Sequence, residues 1–258
     1  MPENIVGTRS MKRKIKQVLE KYARRFRKTV AKEAANMKPM VLKVDTQKWE
    51  DSKETTRRYR PQSDAKHDEI DRQCKKLLDL GVIQHSTSSH WSQVLLVPKP
   101  DGKWRFCLDF RYLNACTEME GGAIPIIHEM LRRIGAKKPK YFAVIDFTSG
   151  YHQAPLAEES QKYTAFKTRN AVYEWKRVPM GLKGAPSYFQ REVAHGVLGD
   201  LLGQQCELFL DDLIIFAFEE DEFVRNLEMC LDRIEKAGIT CNPEKCRFGH
   251  DKIRWARD

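Results

Sequence analysis

No apolar run in this 258-residue chain approaches the ~18 residues needed to cross a bilayer as a helix. The opening Met1-Pro2-Glu3-Asn4 has no signal-peptide core, which predicts an intracellular protein with no membrane partner. Cysteine pairs are missing too. The seven cysteines are scattered without a C-x-x-C motif, and the spacing of Cys241 and Cys246 does not make a zinc site by itself. Reduced, mostly buried thiols are expected. No internal repeat or low-complexity segment is present, and no second His or Cys accompanies His152 to form a nucleophilic pair. With 41% hydrophobic residues, the chain can build one large domain or two lobes around a real core.

Acidic charge is scarce at one end. Residues 1–60 hold 18 Lys and Arg against 7 Asp and Glu, whereas the remainder holds 28 against 29. The net charge of +10 is therefore an N-terminal property. Such a leader can attract nucleic acid by counterion release, or it can be a solvated helix face. The sequence leaves both open.

Hydrophobic periodicity predicts an amphipathic helix from Met11 to about Ala35, then an extended connector over 38–62. A second helix is expected over Ser63–Leu80, stopped by Gly81. Val94–Val97 and Trp104–Phe110 read as strands around a Pro98–Gly102 turn, and Pro125–Ile134 as a short helix. Tyr141–Asp146 is a buried strand ending in a carboxylate. A further hairpin turns at Arg169-Asn170, and a glycine-rich connection opens a helix from Pro186 to about Leu202. Glu220–Ala237 is amphipathic with Gly238 as its stop, while Lys245–Asp258 has no clear period.

The unusual stretch is Cys206–Phe218, two apolar runs separated by Asp211-Asp212. It reads as a hairpin with two carboxylates as its turn. Adjacent carboxylates between buried strands repel one another and resist desolvation, which a hard cation would relieve. An isolated Asp-Asp pair is more often a solvated turn, so the surrounding sequence has to decide.

Five blocks do so. Trp104–Asn114 (W-R-F-C-L-D-F-R-Y-L-N), Tyr141–Tyr163 (beginning Y-F-A-V-I-D-F-T-S-G-Y-H-Q), Val178–Gln190 (V-P-M-G-L-K-G-A-P-S-Y-F-Q), Phe209–Asp212 (F-L-D-D) and Gly81–Val97 fall in family-like order. Together they resemble the reverse transcriptases of gypsy-type long-terminal-repeat retrotransposons over about residues 63–250. The resemblance implies an α+β fold: an antiparallel polymerase palm sheet backed by helices, with a fingers subdomain. It divides the chain into a basic helix and connector (1–62), fingers with entry to the palm (63–138), palm with a returning fingers segment (139–250), and a truncated start of the primer grip and thumb (251–258).

The activity implied is RNA-directed DNA polymerisation. A primer 3′-oxygen attacks a deoxynucleotide with the help of two Mg²⁺ ions, Mn²⁺ being a substitute, roughly 3.5–4 Å apart. By the same resemblance Asp146 and Asp211 are metal ligands, Asp212 is the third carboxylate that tunes them, and the Phe147 backbone carbonyl is an added ligand. Lys99 and Arg105 would grip the incoming triphosphate. Tyr151 would sit beneath its sugar and reject a 2′-hydroxyl, and Met180 and Gly181 would line its pocket. Gln153 and Gln190 are expected to hydrogen-bond within the palm or to template, and His152 to be packed rather than basic. Partners would be an RNA or DNA template with its primer and dNTPs; the sequence leaves the oligomeric state open. The location would be cytoplasm, virus-like particle or nucleus.

The chain departs from the family at Phe209, where Tyr is common, and at Lys252–Asp258, where a Leu-Gly-His run is usual. No Asp-Ser/Thr-Gly protease motif is present, and the sequence has no room for a full thumb or RNase H. The expectation is a piece of a polyprotein or a decayed or domesticated copy. The alternative function is a catalytically silent nucleic-acid-binding remnant. An RNA-dependent RNA polymerase shares the palm, but Tyr151 and the Leu-Asp-Asp box argue against it.

Overall fold

The computed structural model describes residues 1–52, 59–99, 102–119 and 124–253. Helices α1 (Arg9–Lys21), α2 (Thr46–Glu50) and α3 (Asp64–Asp79) come first. Strands β1 (Ile83–His85), β2 (Ser92–Pro98) and β3 (Trp104–Leu108) follow, then α4 (Arg111–Cys116) and α5 (Ile127–Ala136). Strand β4 (Tyr141–Asp146) leads through α6 (Glu158–Gln161), β5 (Phe166–Lys167) and β6 (Val172–Trp175) to α7 (Ala185–Arg191). After α7 come β7 (Cys206–Phe209), β8 (Asp212–Ala217), α8 (Glu220–Ala237) and β9 (Arg247–His250).

The strands form two sheets. One is antiparallel throughout, in the order β7-β8-β4-β9. The other runs β1-β6-β5-β2-β3, with β2 and β5 parallel and the remaining pairs antiparallel. Alternation along β8 splits its side chains between two layers. Leu213 and Ile215 join the main core, while Ile214 and Phe216 meet Ile134 of α5 on the opposite face. Helix α8 covers the main-core face. Its Phe223, Leu227, Leu231 and Ile234 recur at helical spacing and are fully buried. Gly238, in the left-handed region at φ 72°, ends it, and the Ile239 N–H closes back on the Ile234 carbonyl. The fold class is α+β, as expected.

Part of the basic leader packs on the body of the protein. Helix α1, capped by Thr8, buries Met11, Ile15, Val18 and Leu19 beside α8 and β9. Cations of α1 and of the 3₁₀ turn after it, Ala23–Arg25, pair across to acids of α8. Lys14 bonds Glu220 and Asp221, Lys21 bonds Glu228, and Arg24 and Arg25 both reach Glu235. The solvent-facing pairs of Lys14, Lys21 and Arg24 are worth little beside the burial of each large apolar side chain, about 1.5–3 kcal/mol. Apolar burial is therefore the larger contribution holding α1 on α8.

The first helix is shorter than its periodicity predicts. It stops at Lys21, and after a 3₁₀ turn at Ala23–Arg25 the chain continues without regular structure. Tertiary pairing overrides local propensity here. Phe26 bridges Cys241 and stacks edge-on against Phe248, and the Ala35 N–H is taken by the Gln153 carbonyl. The connector holds the short helix α2, capped by Asp45 and anchored by buried Trp49. Phe110 caps α4 instead of ending a strand, and α5 starts and ends two residues later than expected. The helix after Gly184 continues from α7 as a π-helical stretch, Glu192–Leu198, and a 3₁₀ turn, Gly199–Leu201. Strand β9, without a clear signal in the sequence, pairs with the edge of β4. Its other side receives the N-terminus: the Val6 N–H bonds the Phe248 carbonyl, and the Phe248 N–H bonds the Asn4 carbonyl. Of the expected 251–258 segment, residues 254–258 lie outside the described residues, as do Pro100 and Asp101 of the β2–β3 turn.

Candidate active site

Strand β4 delivers Asp146 at its carboxyl end, and β8 begins with Asp212 directly opposite in the ladder. Between β7 and β8 the turn is Leu210-Asp211, with Phe209 paired to Asp212. This corrects the expected turn, Asp211-Asp212, by one residue. The cause is Leu210, which takes up the left-handed conformation at φ 55° and turns the chain early. Asp212 is thereby drawn into the sheet and half-buried, while Asp211 stays exposed at the tip.

The carboxylates feel one another. Burial, then Asp211 and Asp146, push the Asp212 carboxyl up to about 6. Burial also raises Asp146; the Lys245 ammonium, 3.3 Å away, opposes this, and Asp211 adds to it. Among the described residues, no three His, Cys, Asp or Glu side chains are already gathered closely enough to hold an ion. The donor set still suits a hard cation, with carboxylate oxygens from two strands and a turn whose repulsion a cation would relieve. Phe147, buried behind Asp146, donates a long backbone hydrogen bond of 3.4 Å to the Asp211 carbonyl.

Helix α7 supports this tip from behind. The Phe189 ring meets Phe147 and Tyr151 edge-on, at 6.2 and 5.5 Å. A Cβ on Gly150 would lie 3.2 Å from that ring and 3.4 Å from the Asp211 Cβ, so any larger residue would press on both. Tyr151 is half-buried beside Asp211, and burial with that carboxylate pushes its phenol up to about 12. Gln190 is buried, and its side-chain amide bonds the turn backbone: Oε1 accepts from the Leu210 N–H at 2.6 Å, and Nε2 donates to the Leu208 carbonyl at 3.0 Å.

The other expected residues lie apart from the carboxylates. Lys99 and Arg105 are exposed on the β2–β3 hairpin of the five-stranded sheet, whereas the carboxylates sit at the β4–β8 end of the four-stranded one. Met180 is exposed. Gly181, at φ 96°, is held by Asn114, which donates to its carbonyl and accepts from the Lys183 N–H. His152 stacks on Trp175 at 4.9 Å, and burial pushes its imidazole down to about 4, which fits packing instead of base catalysis. Gln153 bonds Thr148 and Thr240, within the protein. The sequence pointed to Gln190 only as a hydrogen-bonding residue of the palm or template, without its partners Leu208 and Leu210, and missed Asn114 and Lys245. Each acts through backbone or ion-pair geometry between segments distant in sequence, which no local pattern announces.

Residues 97–256 match the family model described as "Reverse transcriptase (RNA-dependent DNA polymerase)". The chain is 38% identical over 185 residues to the retrovirus-related Pol polyprotein from transposon opus of Drosophila melanogaster, covering 70% of this chain and 18% of that polyprotein. It is 34% identical over 194 residues to the polyprotein from transposon gypsy of the same organism, covering 73% and 18%. The chain thus spans less than a fifth of the length of these curated relatives. In three dimensions it resembles the foamy viral protease-reverse transcriptase solved in complex with RNA/DNA hybrid. The TM-score is 0.83 at 22% identity, covering 96% of this chain and 32% of that one. The same viral protein solved with dsDNA matches with a TM-score of 0.81 at 24% identity, covering 96% and 50%.

Proposed function

Because the chain belongs to the reverse transcriptase (RNA-dependent DNA polymerase) family, we propose that it is the polymerising module of a gypsy-type retrotransposon polyprotein, extending a primer 3′ end with deoxynucleotides on an RNA or DNA template. The observation that carries this reading is Asp146 facing Asp212 across the β4–β8 ladder, with Asp211 in the adjoining turn. The four-stranded sheet and its helices are then the palm, and the β2–β3 hairpin belongs to the fingers.

Asp146 and Asp211 would hold Mg²⁺, with the Phe147 carbonyl as a further oxygen donor and Asp212 adjusting the charge beside them. The ions, when bound, activate the attacking oxygen and offset the charge on the leaving pyrophosphate. The protein's own work is positioning and charge neutralisation. Arg105 and Lys99 are exposed cations on a hairpin, suited to a triphosphate. Tyr151, whose ring packs against Phe189, would lie beneath the sugar and clash with a 2′-hydroxyl. Met180 and Gly181 would border the nucleotide.

The test is primer extension on poly-rA/oligo-dT with dTTP and Mg²⁺ or Mn²⁺, alongside Asp211→Asn. Extension by the wild type and none by the variant supports the reading. Template binding without extension would replace it with a silent nucleic-acid-binding remnant.

A further inference from the structure

We infer that Gln190 is a positioning residue for the Asp211 turn: its side-chain amide holds Leu210 in the left-handed conformation that aims Asp211 and Asp212. This rests on the polymerase reading above. Leu210 is a branched residue at φ 55°, where L side chains pay a steric cost and persist only when their surroundings over-determine them. The determinant here is visible. The Leu210 N–H points into the protein and is taken by Gln190 Oε1, while Gln190 Nε2 binds the Leu208 carbonyl two residues earlier.

Both ends of one buried amide thus bracket the residue that makes the turn. Gln190 itself is fixed, since α7 carries it and the neighbouring Phe189 is wedged between Phe147 and Tyr151. Without the amide, the Leu210 N–H and Leu208 carbonyl lose their partners, and nothing described offsets the left-handed cost. The turn would relax toward one in which Asp212 occupies it, and the carboxylates would lose their register. Gln190 touches no reacting atom; it acts through the backbone of 208–210.

The test uses the full chain as Gln190→Met, Leu210→Gly and the double variant. Methionine keeps the volume and removes both hydrogen bonds. Glycine removes the left-handed penalty, so the turn no longer depends on the amide. For Gln190→Met we expect faster amide exchange confined to 208–212, and Mn²⁺ binding to the protein alone weaker by about 10–100-fold, typical of residues that orient metal ligands. We expect kcat for primer extension to fall by a similar factor, with little change in KM for dTTP. Leu210→Gly added to Gln190→Met should restore most of the Mn²⁺ binding and kcat. A structural role would instead lower Tm and raise exchange across the sheet, with no rescue by glycine. Unchanged exchange at 208–212, or failure of the glycine to rescue, overturns the inference. If the wild type extends no primer, the polymerase reading fails, and exchange and Mn²⁺ binding still decide whether Gln190 holds the turn.

Discussion

Lys245 sets its ammonium 3.3 Å from the Asp146 carboxylate, so a side chain of the loop before β9 faces the end of β4. The lysine is largely exposed, and the pair is worth little to stability. Its charge nevertheless sits where a cation would bind. Lys245→Met should leave Tm nearly unchanged and tighten Mn²⁺ binding to the protein alone, read by calorimetric titration. Weaker binding in the variant would show that the lysine supports the ion instead of opposing it.

Asp212 makes stability depend on pH in a definite direction. Its folded value of about 6 lies above the ordinary 3.8, so the unfolded chain ionises first. Its contribution is complete below about pH 4 and is lost as pH rises through about 6. In EDTA, Asp212→Asn should match the wild type near pH 4 and exceed it in Tm at pH 7. A Tm difference that is flat across this window would contradict the buried, crowded carboxylate. Mn²⁺ affinity of the wild type should climb over the same interval, because an ion needs the ionised form.

Gly150→Ala tests the packing under the tip. The added methyl would press on the Phe189 ring and the Asp211 Cβ. Overpacking of this kind costs about 1–3 kcal/mol. Chemical denaturation should show that loss, and primer extension should fall further than stability does, since the displaced atom carries a carboxylate. A fully active alanine variant would mean that the tip yields freely.

Arg105→Ala tests the role proposed for the β2–β3 hairpin. Losing a charge-assisted bond worth about 1.5–3 kcal/mol should raise KM for dTTP by about 10–100-fold and leave primer–template affinity unaltered. A loss confined to template binding would reassign this arginine to the nucleic-acid backbone.

The strand β4 and helix α8 were legible in the sequence to the residue. Six residues ending in Asp146, and eighteen between two acidic positions and Gly238, carry their own boundary signals. The hairpin was legible as a hairpin but displaced by one residue, because left-handed geometry at a leucine has no signature in composition. The end of α1 was hidden for a different reason. Phe26 and Val30 continue the helical spacing, yet a backbone pairing with Cys241, more than two hundred residues away, claims that segment. The blocks around them singled out the three carboxylates, and the ladder sets Asp146 opposite Asp212 with Asp211 in the adjoining turn. Their supports, Gln190 and Lys245, depend on contacts that only the folded chain creates.

The pairing of α1 with α8 bears on any shortened version of the protein. A chain trimmed to the stretch that the family model matches would begin at residue 97 and lose the basic partner helix. Helix α8 would then present Glu220, Glu228 and Glu235 uncompensated, on the side where α1 had packed. Such a fragment should clump at low ionic strength and bind polyanions poorly, even though every carboxylate of the β4–β8 ladder is still encoded in it.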